Sequence, residues 1–137
     1  MVDLDRDTLF TKIVRGEIAC FKIYEDENHF AFLDITPFEK GHTLVIPKKP
    51  YETIMQMPED EYLELMSVVY KLAKHFEEIL DCGINIWQNN REVAGQEVPH
   101  VHFHVVPRLL KRDAYVKENK PEYVEDEMIE YREILKL

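Results

Sequence analysis

A chain of 137 residues, 45% hydrophobic and 32% charged, has the balance of a globular protein with one core. A formal net charge of −10 argues against nucleic acid or an anionic membrane as partner, and leaves any anionic substrate to local cations such as Lys48, Lys49, Arg108, Lys111 and Arg112. Cys20 and Cys82 form no disulfide or metal spacing, Met1-Val2-Asp3-Leu4-Asp5-Arg6 is too polar for a signal peptide, and no apolar run approaches membrane-spanning length, so a cytoplasmic protein is expected.

Residues 5–15 predict a short helix, with Leu9, Phe10, Ile13 and Val14 at helical spacing and Gly16 as its stop. Residues 21–24 and 29–33 flank the turn-like Glu25-Asp26-Glu27-Asn28 and read as a β-hairpin. Asp34-Ile35-Thr36-Pro37 is a turn, and a third strand follows Gly41 over 42–46. Pro47, Pro50 and Pro58 keep the next stretch irregular, anchored by Tyr51, Ile54 and Met55. A long helix spans 58–80, its start suited by Glu59, Asp60 and Glu61 and its core stripe formed by Tyr62, Leu65, Met66, Val69, Leu72, Ala73, Phe76, Ile79 and Leu80. His75 falls off that stripe and reads as a surface residue; Gly83 ends the helix. A fourth strand over 84–89, a loop over 90–98 and a terminal helix over 125–137, with Met128, Ile129, Ile134 and Leu135 apolar, complete the order. It predicts an α+β fold: a five-stranded antiparallel sheet with two main helices plus a C-terminal helix. One domain is expected over 1–137, with its core over about 5–108 and an extension over 109–137.

The remaining strand carries the chemistry. His100, His102 and His104 alternate with Val101, Phe103 and Val105, so a strand opened by Pro99 and closed by Pro107 puts three of the six histidines on one face. Packing gives no reason for this, because each buried imidazole needs a hydrogen-bond partner. A solvated face would rarely use one titratable residue type throughout. A zinc ion fits poorly: the outer Cα atoms lie ~13 Å apart, yet ligand nitrogens converge to ~2.0–2.1 Å from the metal. A histidine pair with a ligand from elsewhere would still suffice. Imidazole can also be neutral and nucleophilic near pH 7 while donating from its second nitrogen, which makes the row a candidate catalytic centre.

The run His100-Val101-His102-Phe103-His104-Val105-Val106, with Gly95-Gln96 ahead of it, resembles the signature of the histidine triad superfamily, His-φ-His-φ-His-φ-φ with φ apolar. The resemblance extends over about residues 8–108. Phe10-Thr11-Lys12-Ile13-Val14-Arg15-Gly16-Glu17-Ile18 is similar to the family's opening helix, Ala31-Phe32-Leu33-Asp34-Ile35-Thr36-Pro37 to its hairpin, and Gly41-His42-Thr43-Leu44-Val45-Ile46-Pro47-Lys48 to its third strand. Together they look like the Hint (histidine triad nucleotide-binding) branch. The galactose-1-phosphate uridylyltransferase type has His-Pro-His, where this chain has Val101.

What the resemblance implies is a purine nucleotide site in which His102 attacks the α-phosphate and becomes nucleotidylated, its other nitrogen held by a carbonyl near His100. His104 would bond the phosphate or the leaving group, His42 would extend the network, and Asp34 would hold the ribose hydroxyls. Asn89 and Gln96 would meet the phosphate and ribose, while Leu9, Phe10, Ile13, Ile18, Phe32 and Ile35 would line the base pocket. Glu97 stands where phosphoramidases often have serine; it is expected to point outward and offer its backbone N–H. Zinc-binding relatives begin Cys-x-x-Cys, but Thr8 and Thr11 supply no thiolate, so neither metal nor cofactor is expected. The implied activity is hydrolysis of purine nucleoside 5′-phosphoramidates by a homodimer joined through the long helix and strand four. The alternatives are dinucleoside polyphosphate hydrolysis, which the basic residues near Arg108 would serve, and a non-catalytic nucleotide-binding module.

Overall fold

The computed structural model describes residues 2–109 and 120–137. In chain order the elements are α1 (Leu9–Val14), β1 (Lys22–Glu25), β2 (His29–Leu33), β3 (Thr43–Pro47), α2 (Glu59–Leu80), β4 (Gly83–Gln88), β5 (Phe103–Arg108) and α3 (Glu127–Leu135). All strand pairs are antiparallel, in the order β1-β2-β3-β5-β4. The α+β architecture expected from the element order is the one observed.

Period-two alternation divides the apolar residues between two faces. Ala31, Leu33, Val45, Val101, Phe103 and Val105 join Leu65, Val68, Val69, Leu72 and Phe76 of α2 in the larger core. Phe30, Phe32, Leu44 and Ile46 point the other way and pack under Phe10 and Ile13 of α1. Helices therefore cover both faces of β2 and β3, and every residue of those strands is buried. Register does the rest. Phe32 pairs with Leu44, Leu44 with His104 and His104 with Trp87, one row across four strands.

Several boundaries differ from expectation, each for a local reason. Helix α1 starts at Leu9 rather than residue 5, because Thr8 is its N-cap in a reciprocal capping box with Thr11. Upstream, Arg6 is drawn across the chain to the carbonyls of Pro50 (2.7 Å) and Pro99 (2.5 Å). Helix α2 is ended by Asp81, in the left-handed conformation at φ 48°, and Gly83 opens β4 instead. The α2 stripe runs through Val68 and Leu80, leaving Ile79 44% exposed. Met55 does not anchor its loop and is 68% exposed.

The histidine strand is displaced as well. β5 begins only at Phe103, because the chain before it runs beside the Tyr51 loop, where Val101 N–H donates to Tyr51 O (2.8 Å). It continues through Pro107, which pairs with Ile84 of β4 beyond the last β3 partner, Val105, where a missing N–H costs no bond on the β3 side.

The C-terminal segment is tied to the sheet. Gly41 N–H donates to Tyr123 Oη (2.8 Å), Lys40 pairs with Glu127 (2.8 Å), and Leu137 N–H reaches Ile23 O (2.9 Å). Gly41 has φ +96°, and a Cβ there would stand 2.8 Å from Pro107 Cγ, so only glycine suits this crossing. Of the four apolar residues expected to bury α3, Leu135 is buried and Met128 packs on the core, but Ile129 and Ile134 face outward. Among the described residues no helix is long and apolar enough to cross a membrane.

Candidate active site

Proton positions on the four histidines follow from their partners. A backbone N–H can only donate and a carbonyl can only accept. Phe38 N–H meets His42 Nδ1 at 3.0 Å, so neutral His42 keeps its proton on Nε2, which lies 2.8 Å from His104 Nδ1. His42 then donates to His104, and His104 holds its own proton on Nε2. His100 Nε2 donates to Pro47 O (2.8 Å), and its Nδ1 accepts from Thr8 Oγ1 (2.7 Å). His102 Nδ1 donates to His100 O at 2.7 Å, which leaves the lone pair on Nε2. One ring thus presents a bare nitrogen beside another that presents an N–H, their centroids 5.1 Å apart.

Packing holds the rings in these orientations. Phe10 sets its edge against His100 and His102, at 5.5 and 5.2 Å between centroids. Trp87 stacks on His104 at 4.9 Å, and Phe38 stands against both Trp87 and His42.

His102 and His104 open into a pocket of about 320 Å³. Leu9, Phe10, Ile13, Ile18, Phe32, Asp34, Ile35 and Glu97 line it, together with Val98 and Leu44. Apolar lining with a few convergent polar groups suits a small ligand. Asp34 sits at the rim, where its Oδ1 accepts from the N–H and hydroxyl of Thr36 (2.9 and 3.1 Å). Glu97 departs from expectation: it is exposed, yet it lines the pocket and its charge acts on His102. Asn89 and Gln96 are not among the lining residues. The Gln96 amide accepts from Arg91 N–H on its own loop and donates to Glu52 O on the loop ahead of α2, both at 2.6 Å, and Asn89 reaches Gly95 O at 3.4 Å.

Burial dominates the titration of the site. It pushes His100 down to about 4 and His104 down to about 3, and holds His42 well below the ordinary histidine value. His102 is lowered too, chiefly by burial, against the His100 carbonyl and the carboxylates of Asp34 and Glu97. Burial raises Asp34. All four rings are therefore neutral at pH 7, the form in which a nucleophile retains its lone pair.

A model of the HIT domain matches residues 15–110. The chain belongs to the HIT family. It is 51% identical over 100 residues to an uncharacterized HIT-like protein of Methanocaldococcus jannaschii, covering 73% of this chain and 78% of that one. An adenosine 5′-monophosphoramidase of Saccharomyces cerevisiae is 41% identical over 113 residues, covering 82% and 70%. Among solved structures, a HIT-like protein of Bartonella henselae superposes with a TM-score of 0.85 at 30% identity, covering 96% of this chain and 95% of that chain.

Within this HIT site, Asp34, His42 and His104 each offer a ligand atom, all within 4.8 Å of one another. The tautomers oppose a metal there. His42 Nε2 carries the proton aimed at His104, and freeing it would cost the bond from Phe38 N–H. Thr8 and Thr11 are occupied by the helix cap and by His100. Of the cations expected to meet an anion, Lys48 pairs with Glu25 (2.8 Å) and Lys49 with Glu61 (3.0 Å), while Arg108 bonds Asn85 (2.8 Å) and its charge still acts on His42. Lys111 and Arg112 lie outside the described residues. Phe38, Trp87 and Val98 carried no signal of their own in the sequence, because only strand register and loop closure bring them to the histidines.

Proposed function

We propose that the chain hydrolyses purine nucleoside 5′-phosphoramidates through a nucleotidylated His102. The observation that carries this reading is the pairing of a bare His102 Nε2 with a protonated His104 Nε2 on one pocket. His102 Nε2 attacks phosphorus, the P–N bond breaks, and the amine departs after taking a proton from solvent, while the His104 Nε2–H bonds the phosphate. Water then attacks the His102 adduct and releases its proton to solvent, giving the nucleoside monophosphate and restoring the ring. His100 orients His102 through its carbonyl, and His42 fixes the His104 tautomer. Asp34 takes the ribose hydroxyls, Leu9, Phe10, Ile13, Ile18, Phe32 and Ile35 take the base, and Glu97 contributes its backbone N–H. Asn89 and Gln96 shape the loop that carries Glu97. Relatives named adenosine 5′-monophosphoramidase support this substrate class.

The test is kcat/KM for adenosine 5′-phosphoramidate beside diadenosine tri- and tetraphosphate on one preparation. The phosphoramidate is expected to lead. A tenfold lead by the polyphosphates, about 1.4 kcal/mol of transition-state preference, would overturn the assignment. Saturable nucleotide binding with no monophosphate released from any of them would favour the non-catalytic module.

We also propose a homodimer in a reducing, cytoplasmic setting that suits the free thiols of Cys20 and Cys82. β4 is an edge strand with Ile86 47% exposed, and α2 leaves Leu63 and Tyr70 57% and 66% exposed. Pairing β4 edges under two α2 helices would cover both liabilities at once. Sedimentation equilibrium is expected to give twice the 16.4 kDa chain mass; a stable monomer at micromolar concentration would contradict it.

A further inference from the structure

The pocket beside the histidines is lined by two carboxylates, Asp34 and Glu97, and, among the described residues, by no lysine or arginine. A cation stands just outside it. Lys120 belongs to the C-terminal segment, and its Nζ lies 4.1 Å from the centre of the Phe38 ring. Phe38 is the residue that touches His42 and donates its N–H to it, so the ammonium sits at the His42–His104 end of the row. Lys120 also lines a groove with Ile35, Thr36 and Pro37, and Ile35 and Thr36 are shared with the histidine pocket. For Asp34, His42 and His104 burial is the largest influence, and the Lys120 charge adds a lowering contribution to each.

We infer that Lys120 is a specificity-determining residue that selects leaving groups bearing negative charge, such as an amine carrying a carboxylate. The inference rests on the phosphoramidase reading and deepens it. His102 attacks phosphorus from one side, so the departing group leaves toward His104, where Lys120 supplies a cation beside the acidic rim. A carboxylate on the departing amine would meet this ammonium at short range, while a neutral amine would gain nothing from it. The distinction matters because a net charge of −10 otherwise repels such substrates.

The test compares the adenosine phosphoramidate of alanine, with its free carboxylate, against that of alanine amide. The native chain is expected to favour the carboxylate about tenfold in kcat/KM. Lys120→Met should bring that ratio close to one, chiefly by loss on the carboxylate substrate, and Lys120→Arg should preserve it. Equal losses on both substrates in Lys120→Met would mean that the lysine only holds the C-terminal segment on Phe38, and would overturn the inference. Binding of α,β-methylene-ADP against AMP separates this question from the chemistry, since its β-phosphate takes the leaving-group side. If the native chain cleaves neither phosphoramidate, the phosphoramidase reading falls. The selection by Lys120 then stands if a native preference for α,β-methylene-ADP is lost in Lys120→Met, and fails if no such preference exists. Absence of binding by both nucleotides overturns the two readings together.

Discussion

Replacing His102 by alanine or asparagine is expected to lower kcat by roughly four to six orders of magnitude, as removal of a nucleophile does in covalent enzymes. Nucleotide affinity should change little. Leu9, Phe10, Ile13, Phe32 and Ile35 still line the pocket and Asp34 still stands at its rim; Phe10 loses the edge of the His102 ring but keeps Phe32 and His100 against it. Asparagine is the sharper variant, since its amide can keep donating to the His100 carbonyl while offering no nucleophilic nitrogen. Single-turnover kinetics and equilibrium binding on the same protein separate the two effects. Native enzyme quenched in alkaline denaturant, which spares the acid-labile P–N bond of the adduct, should carry one nucleotidyl group, which both variants lack. Retention of more than roughly 1% of activity would show that another group attacks.

Acid should destabilise the fold well before it protonates the surface carboxylates. His100 is fully buried, with its Nε2 donating to Pro47 and its Nδ1 taking the Thr8 hydroxyl, so a second ring proton has no place to go. Its folded value of about 4 lies below the unfolded histidine value. Between those two values the unfolded chain binds more protons, so stability falls as pH falls through the ordinary histidine range. From His100 alone the loss is about 2 kcal/mol between pH 7 and pH 5. His104 and His42 shift in the same direction and add to it. Asp26, held down to about 2 by its bonds from Tyr24 and His29 against the cost of its burial, contributes only in stronger acid. Asp34 is shifted upward and opposes the histidines only near the carboxylate range. Guanidinium unfolding at pH 7 and pH 5 measures the difference. Stability that is level over this window would mean that the rings are protonated in the folded chain and that the tautomer network is not the one described.

How much was legible beforehand depends on the range of the interaction. The apolar run from Phe30 to Leu33 is a property of consecutive residues, and it determined strand β2 from the chain alone, while the fold decided which core each of its faces enters. The same holds for the α2 stripe and for the His-Val-His-Phe-His alternation, which separated the three rings from Val101, Phe103 and Val105 even though only His104 lies within the regular strand. Local capping was less legible. Thr8 and Thr11 read as missing thiolates, and only the folded chain turned Thr8 into both the cap of α1 and the hydroxyl partner of His100, 92 residues away.

The tertiary structure alone decided which atoms the chemistry can use. No period or composition places Phe38 N–H on His42, Trp87 against His104 or Lys120 over Phe38. Those contacts arise from strand register and from the return of the C-terminal segment past Gly41. The amides of Asn89 and Gln96 illustrate the same point, since bonds to Gly95 O, Arg91 N–H and Glu52 O, and no local spacing, set where they point. A sequence specifies side-chain types and their local periodicity, so it determined that three histidines share a face. Which nitrogen on each ring carries the proton is set by donors and acceptors distant in the chain, and that became definite only when the sheet closed.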